Sequence, residues 1–209
     1  MEIEVLQYNL PDISLLKKQI GQKSFIIWRP DKIYIVLGVS NNKDDSLIEE
    51  NVLKDNIIVL KRPSGGETVV LTPQTIVISA IDENQKYINP KDCFAFYNNK
   101  IISALKKLGV QNLSQKGISD ISIKDKKILG SSIYRSKSQI LYQSVLNVNE
   151  NPELFEKYLK HPKREPDYRK NRKHSDFVTS IYNEGYTVGF NDIIYTLNNE
   201  FNLIESKYT

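Results

Sequence analysis

A chain of 209 residues, 40% hydrophobic and 26% charged, can bury one sizeable core and lies outside the low-hydrophobicity, high-charge range of disordered chains. One cysteine, Cys93, and two histidines, His161 and His174, exclude an intramolecular disulfide and give no zinc-ligand spacing. Net charge is a modest +4, no apolar run approaches the ~20 residues of a membrane-spanning helix, and the N-terminal stretch has neither a basic flank nor a long apolar segment; a cytoplasmic single domain over residues 1–209 is expected, with no metal centre and no membrane contact.

Residues 24–28 and 33–37 are β-prone runs separated by Arg29-Pro30-Asp31-Lys32, which predicts a hairpin delivering Gly38 at its end. A helix is expected over 46–54, then strands over 57–61 and 68–71 that flank a glycine turn, and a further strand over 75–80. Phe94, Ile101, Leu105 and Leu108 recur at near-helical spacing, which predicts a helix over 91–108 stopped by Gly109. Strands at 120–123 and 127–129 flank a tight turn, Lys124-Asp125-Lys126, and 139–148 is another strand. Helices at 151–159, 175–181 and 190–201 follow, with Ser175 and Asn191 placed as caps. The order β-β-α-β-β-β-α-β-β-β-α-α-α favours an α/β chain of the α+β type, a mixed, mostly antiparallel sheet flanked by helices, and argues against a Rossmann pattern.

Two segments carry chemistry. In Lys61-Arg62-Pro63-Ser64-Gly65-Gly66-Glu67-Thr68 the glycines let the backbone turn tightly and present N–H groups to an anion. Arg62 would add a charge-assisted contact to a carboxylate or phosphate, and Ser64 a hydroxyl; by itself the run also reads as an ordinary β-turn. In Gly117-Ile118-Ser119-Asp120 followed by Lys127-Ile128-Leu129-Gly130-Ser131, a lysine between apolar neighbours at the start of a strand can aim its ammonium into a pocket, against phosphate or a developing oxyanion. A solvated lysine turn is the alternative.

Taken in order, these segments resemble the catalytic domain of the lipoate-protein ligase A family, within the biotin and lipoate protein ligase superfamily. The resemblance runs from about Phe25 to about Ile181: Trp28, then Val36-Leu37-Gly38 with Asn41-Asn42, Arg62-x-Ser64-Gly65-Gly66, Gly117-x-x-Asp120, Lys127-Ile128-x-Gly130-Ser131, and His161-Pro162-Lys163-Arg164-Glu165-Pro166-Asp167-Tyr168-Arg169 with His174-x-x-Phe177. It implies a fold similar to the class II aminoacyl-tRNA synthetase catalytic domain. The implied reaction has two steps: ATP, with Mg²⁺, activates lipoate or octanoate to an acyl-adenylate, and the acyl group passes to a specific lysine of a lipoyl domain. Carriers of that kind are 2-oxo acid dehydrogenase E2 subunits and the glycine cleavage H protein. On this template Lys127 is the catalytic residue. Arg62, Ser64, Gly65, Gly66, Glu67, Thr68, Asp120, Gly130, Ser131 and Gln143 would line the substrate and adenylate site.

The chain departs from the family pattern at several places. Glu67 stands where a third glycine is usual, Leu71 replaces a histidine, Ser119 an asparagine and Val39 an arginine, and Leu141-Tyr142-Gln143-Ser144 replaces a His-Gly-Thr type run. A non-glycine residue at a positive φ costs on the order of 1 kcal/mol, and a carboxylate beside an adenylate phosphate repels it unless it points away or holds Mg²⁺, so a remodelled turn is expected at Glu67. The accessory C-terminal domain of many relatives is not expected within these 209 residues, and a separate accessory polypeptide is an expected candidate partner. An ATP-independent acyltransferase is a second reading, but such relatives keep a nucleophilic cysteine near the Gly-Ile-Ser-Asp region, whereas Cys93 falls on a predicted helix and is expected to be buried. A binding homologue without turnover is a third. Residues 160–174 hold seven Lys or Arg against two acids; this segment suits an acidic lipoyl domain or is a solvated face, and lacks the spaced aromatics of a nucleic-acid platform.

Overall fold

Alternation along the strands sorts the chain into layers. In the computed structural model the described residues are 2–19, 24–86 and 89–202. They form β1 (Val5–Gln7), a 3₁₀ segment (Pro11–Lys17), β2 (Ser24–Trp28), β3 (Tyr34–Leu37), α1 (Lys43–Ser46), α2 (Glu49–Lys54), β4 (Ile58–Lys61), β5 (Val69–Leu71) and β6 (Thr75–Glu83). The second half contributes α3 (Pro90–Lys107), β7 (Leu113–Lys116), β8 (Asp120–Ile123), β9 (Lys126–Arg135), β10 (Gln139–Asn147), α4 (Glu153–Tyr158), α5 (His174–Phe177) and α6 (Phe190–Asn202).

Two sheets result. The larger, β2-β6-β10-β9-β8-β7, is antiparallel throughout; the smaller, β1-β4-β3-β5, pairs β1 with β4 and β4 with β3 in parallel and closes with antiparallel β5. Ile76, Ile78, Ala80, Tyr142, Leu146, Ile121 and Leu129 face α3 and α6 and make the main core. Alternate residues point the other way, so Val77 and Val145 meet Tyr34, Val36 and Leu71 of the small sheet. On its far face Ile35, Leu37, Val59 and Val70 pack on Leu47, Val52, Phe155 and Tyr158 around α2 and α4. The layers therefore run helix, large sheet, small sheet, helix.

The predicted hairpin does not form. β2 pairs with β6 in the large sheet while β3 pairs with β4 and β5 in the small one, because β2 and β3 serve different cores and Pro30 falls between them. The helix expected over 46–54 is two pieces, interrupted where Leu47 bridges Leu159. The strand begun at Lys127 is far longer than three residues, since Gly130, Ser131 and Ser132 keep pairing with β10. The helix expected over 175–181 ends at Phe177 because Val178 and Thr179 turn extended to bond Lys127. Ser175 and Asn191 lie inside their helices rather than ahead of them. β1, the 3₁₀ segment and β7 were not anticipated.

Gly109 does stop α3. At φ +85° it lets its own N–H bond Lys106 O, while the N–H of Val110 bonds Leu105 O, the Schellman arrangement that closes a helix on glycine. At the other end Pro90 occupies the first turn and the side chain of Asn89 accepts from the Lys91 N–H.

Candidate active site

The chain from β4 to β5 must cross the end of β3, which lies between them. Residues 62–68 make that crossing. The Arg62 N–H bonds Leu37 O and the Val39 N–H bonds Ser64 O, each at 3.0 Å. Gly38 sits directly beneath: a Cβ there would lie 2.0 Å from Gly66 O, and Gly66 itself turns at φ +86°. Both glycines are thus demanded by geometry.

Arg62 braces this loop from inside. Its Nε donates to Ser64 Oγ (2.9 Å), one terminal nitrogen to Val36 O (3.1 Å), and the other to Gly65 O (2.7 Å) and Glu67 O (2.9 Å). Four of its five N–H hydrogens are spent on the protein. Burial pulls its guanidinium down to about 10, which leaves it charged at neutral pH. Arg62 thus supports the loop from within and keeps one N–H beyond those four bonds.

Ser64 continues the chain of bonds. Its hydroxyl donates to Gln143 Oε1 (2.8 Å) and lies 3.2 Å from Ser132 Oγ. Gln143 Nε2 donates to Asp12 Oδ2 (2.6 Å), which also accepts from Ser79 Oγ (2.9 Å), while Asp12 Oδ1 accepts from Tyr8 OH (2.7 Å). Asp12 is wholly buried. Three donors and, through two neutral side chains, the Arg62 cation offset the cost of burying its charge. Burial and Asp12 together raise the Tyr8 phenol above its ordinary range, so Tyr8 keeps its proton and donates it to Asp12. Asp12 was missed by sequence reasoning; an acid embedded among Leu10, Ile13 and Leu15 is the signal that would have found it.

Lys127 reaches the same cleft through a β-bulge. Asp120 pairs with Gly130 and Ile121 with Leu129, but Ser122 pairs with Lys127, so Ile128 is the extra residue. Without that insertion Lys127 would alternate onto the core face. With it, Ile128 and Leu129 both enter the core and Lys127 shares a face with Asp120 and Gly130. Lys127 Nζ lies 2.9 Å from Asp120 Oδ1, and Asp120 Oδ2 accepts from Tyr168 OH at 2.8 Å. A Cβ on Gly130 would stand 2.7 Å from Lys127 Nζ and 2.8 Å from Cε, so the absent side chain is the groove in which the lysine lies.

The remaining expected residues fall around this pair. Ser131 turns its hydroxyl to Ser119 O (2.6 Å), and its N–H bonds the same oxygen. Thr68 lines the cleft with a buried, unpartnered Oγ1. Glu67 is not at positive φ, so no left-handed strain arises there; its carboxylate accepts from Asn41 Nδ2 at 3.4 Å, and Asn41 Oδ1 accepts from the Gly38 N–H. Leu71 is core, and Val39 is half exposed. Cys93 is buried in α3, where burial pushes its thiol up to about 12.

In the basic segment Lys160, Lys163, Arg164, Lys170 and Lys173 are exposed, while Arg169 and Arg172 turn inward. Arg169 and Arg172 stand over the Phe177 ring, 4.9 and 5.2 Å from its centroid. Arg172 bonds Asp125 Oδ2, Asp125 O and Tyr168 O, and Arg169 Nε bonds Arg172 O. Residues 160–169 form one wall of the cleft. His174 lines it as well, and burial, then Arg169, pushes its imidazole down to about 4.

Between these walls is a cleft of about 1140 Å³. Val36, Val69, Leu71, Val77 and Val145 give it an apolar floor, with Glu67, Asp120 and Lys127 among its polar lining. Its size lies above the ~300–1,000 Å³ of common small-molecule sites, which suits more than one substrate.

A two-sheet frame with an apolar floor and a lysine facing a braced glycine loop is the catalytic domain of a lipoate-ligase type fold. It superposes on the bipartite lipoate protein ligase of Thermoplasma acidophilum at TM-score 0.79, with 18% identity over 96% of this chain and 82% of that one. It also superposes on a lipoate-protein ligase A bound with ATP at TM-score 0.77, with 17% identity over 96% and 84%. Residues 12–202 match the family model of the lipoyl protein ligase A/B catalytic domain, and the chain belongs to that family. In sequence it is 29% identical to lipoate-protein ligase A of Psychrobacter cryohalolentis over 66% of this chain and 39% of the relative. It is 25% identical to lipoate–protein ligase 1 of Staphylococcus aureus over 70% and 44%. The match thus spans less than half the length of these relatives.

Proposed function

We propose that this chain is the catalytic unit of a lipoate-protein ligase, which activates lipoate or octanoate with ATP and transfers the acyl group to a lysine of a lipoyl domain. The observation that carries the reading is the Lys127–Asp120 pair at 2.9 Å, set on the large sheet opposite the braced loop of the small sheet, with a valine and leucine floor between them. The floor suits an acyl chain, and the cation suits the carboxylate or phosphate at its end.

In the first step a carboxylate oxygen of the acid bonds the α-phosphorus of ATP as the bond to pyrophosphate breaks. In the second, the acceptor amine bonds the acyl carbon, the bond to AMP breaks, and the amine gives up a proton. Lys127 spends one ammonium hydrogen on Asp120 and has two others for the acyl and phosphate oxygens, where charge develops in both steps. Gly65 and Gly66, both solvent-accessible, leave loop backbone open to the nucleotide. Mg²⁺ would arrive with ATP: no cluster of three or more His, Cys, Asp or Glu able to hold a metal lies among the described residues, and Mg²⁺ relies largely on phosphates and water.

The test is incubation with lipoyl domain and either acid, with and without ATP and Mg²⁺, read by intact mass. An acyl adduct that requires ATP and falls at least about 100-fold in Lys127→Ala supports the reading. Transfer from an acyl donor without ATP, or no adduct under any condition, overturns it. The buried thiol of Cys93, in the helical layer away from the cleft, speaks against a cysteine-borne acyl intermediate.

A further inference from the structure

The basic segment that stood out in the sequence has no role in the chemistry above, yet it ends on the catalytic pair. Tyr168 OH, at 2.8 Å, is the second donor to the Asp120 carboxylate, whose other oxygen holds Lys127. Asp120 is 5% exposed, so little water reaches it and each oxygen depends on a protein donor.

Tyr168 is itself held from several sides. Its ring lies 5.0 Å from Phe177, and Gly117, at φ +57°, packs against Pro166 and Tyr168 where a Cβ would crowd them. Arg169 and Arg172 cover the same Phe177 ring, and Arg172 ties Tyr168 O to Asp125 in the turn just before Lys127. Past Phe177 the chain bonds Lys127 directly, Thr179 N–H to Lys127 O at 2.8 Å. The segment is a strap anchored at Asp120, at Asp125 and on the Lys127 backbone itself.

We infer that Tyr168 is a positioning residue: its hydroxyl fixes the Asp120 carboxylate so that only one oxygen engages Lys127, and the strap's arginines keep that hydroxyl in place. With the second oxygen occupied, Asp120 cannot rotate to draw two hydrogens from Lys127, and the ammonium stays turned toward the cleft. The kinetic part of this inference rests on the ligase reading; the geometry does not.

The experiment uses Tyr168→Phe, which removes only the hydroxyl, in wild-type and Asp120→Asn backgrounds. In the wild-type background kcat for acyl transfer falls about tenfold while KM for the acid stays within about twofold; the thermal midpoint drops by a few degrees, because one buried carboxylate oxygen loses its donor. In Asp120→Asn the same change costs less than about twofold, because the partner through which Tyr168 acts is already altered. An equal tenfold loss in both backgrounds, or unchanged kcat in the first, overturns the inference. A second readout is independent of turnover: acetylation of Lys127 by acetic anhydride, followed by peptide mass spectrometry, slows severalfold in Tyr168→Phe, because the freed carboxylate takes a second ammonium hydrogen and holds the amine protonated. An unchanged labelling rate sinks the proposal even if the enzyme is active. Slower labelling in a chain that makes no acyl adduct upholds it while the ligase reading fails.

Discussion

Gly130 is empty because Lys127 fills the space beside it. Gly130→Ala puts a methyl against the end of a flexible side chain, not against backbone, so the fold is spared and the lysine is displaced. The expected result is a stability change within about 1 kcal/mol by urea unfolding and a loss of acyl transfer of at least about tenfold, since small misplacements of a reacting group are costly. Equal activity in the variant would show that Lys127 need not lie in that groove. That Lys127, Asp120 and Gly130 lie together was legible in the sequence, because they sit on neighbouring strands of one short hairpin. Asp12 was not: its partners Tyr8, Ser79 and Gln143 come from three separate stretches of chain, and only the packed fold joins them. Arg62 was legible as part of the turn but its bracing of the loop was not, because a sequence does not show that a guanidinium's hydrogens reach nearby carbonyls.

Among the elements, the crossing of β3 by the glycine loop is the tightest feature. Adding a methyl at Gly38 sets carbon against the carbonyl oxygen of Gly66 at 2.0 Å, and backbone there cannot step aside without dragging Arg62 and Ser64. Gly38→Ala should destabilise by about 1–3 kcal/mol, the ordinary cost of overpacking, seen as a lower midpoint in denaturant with the slope preserved. A variant as stable as wild type would mean the loop is slack. Strand identity was readable for β2, β4, β6 and β10, whose apolar runs are continuous. Partnership was not, since pairing β2 with β6 rather than β3 is decided by which core each face serves. The bulge at Ile128 was equally hidden: Ile128-Leu129 reads as two strand residues, and only the register with β8 shows that both point inward.

At the scale of the whole molecule, His174 couples the cleft wall to pH. Its surroundings are Arg169, Glu156, His161 and Lys127, and burial pushes it from 6.5 to about 4. The unfolded chain takes up a proton as pH falls through 6.5, while the folded chain does so only near 4. Stability should therefore decline across that window, by up to about 3 kcal/mol from this group, and the group contributes no pH dependence above it. His174→Gln should flatten the wild-type slope between pH 6.5 and 4 in urea titrations; identical slopes would show that another group is responsible. The class of fold was legible from the order of elements, and its division into two sheets was not, because strand order in space is a long-range property.

The meeting of those two sheets has one further consequence. Trp28, the chain's single tryptophan, hydrogen-bonds along β6 in the large sheet yet packs into the cluster that the small sheet completes. The protein thus carries a natural optical reporter at its seam, whose emission tells whether the two halves of the cleft are joined before any substrate is added.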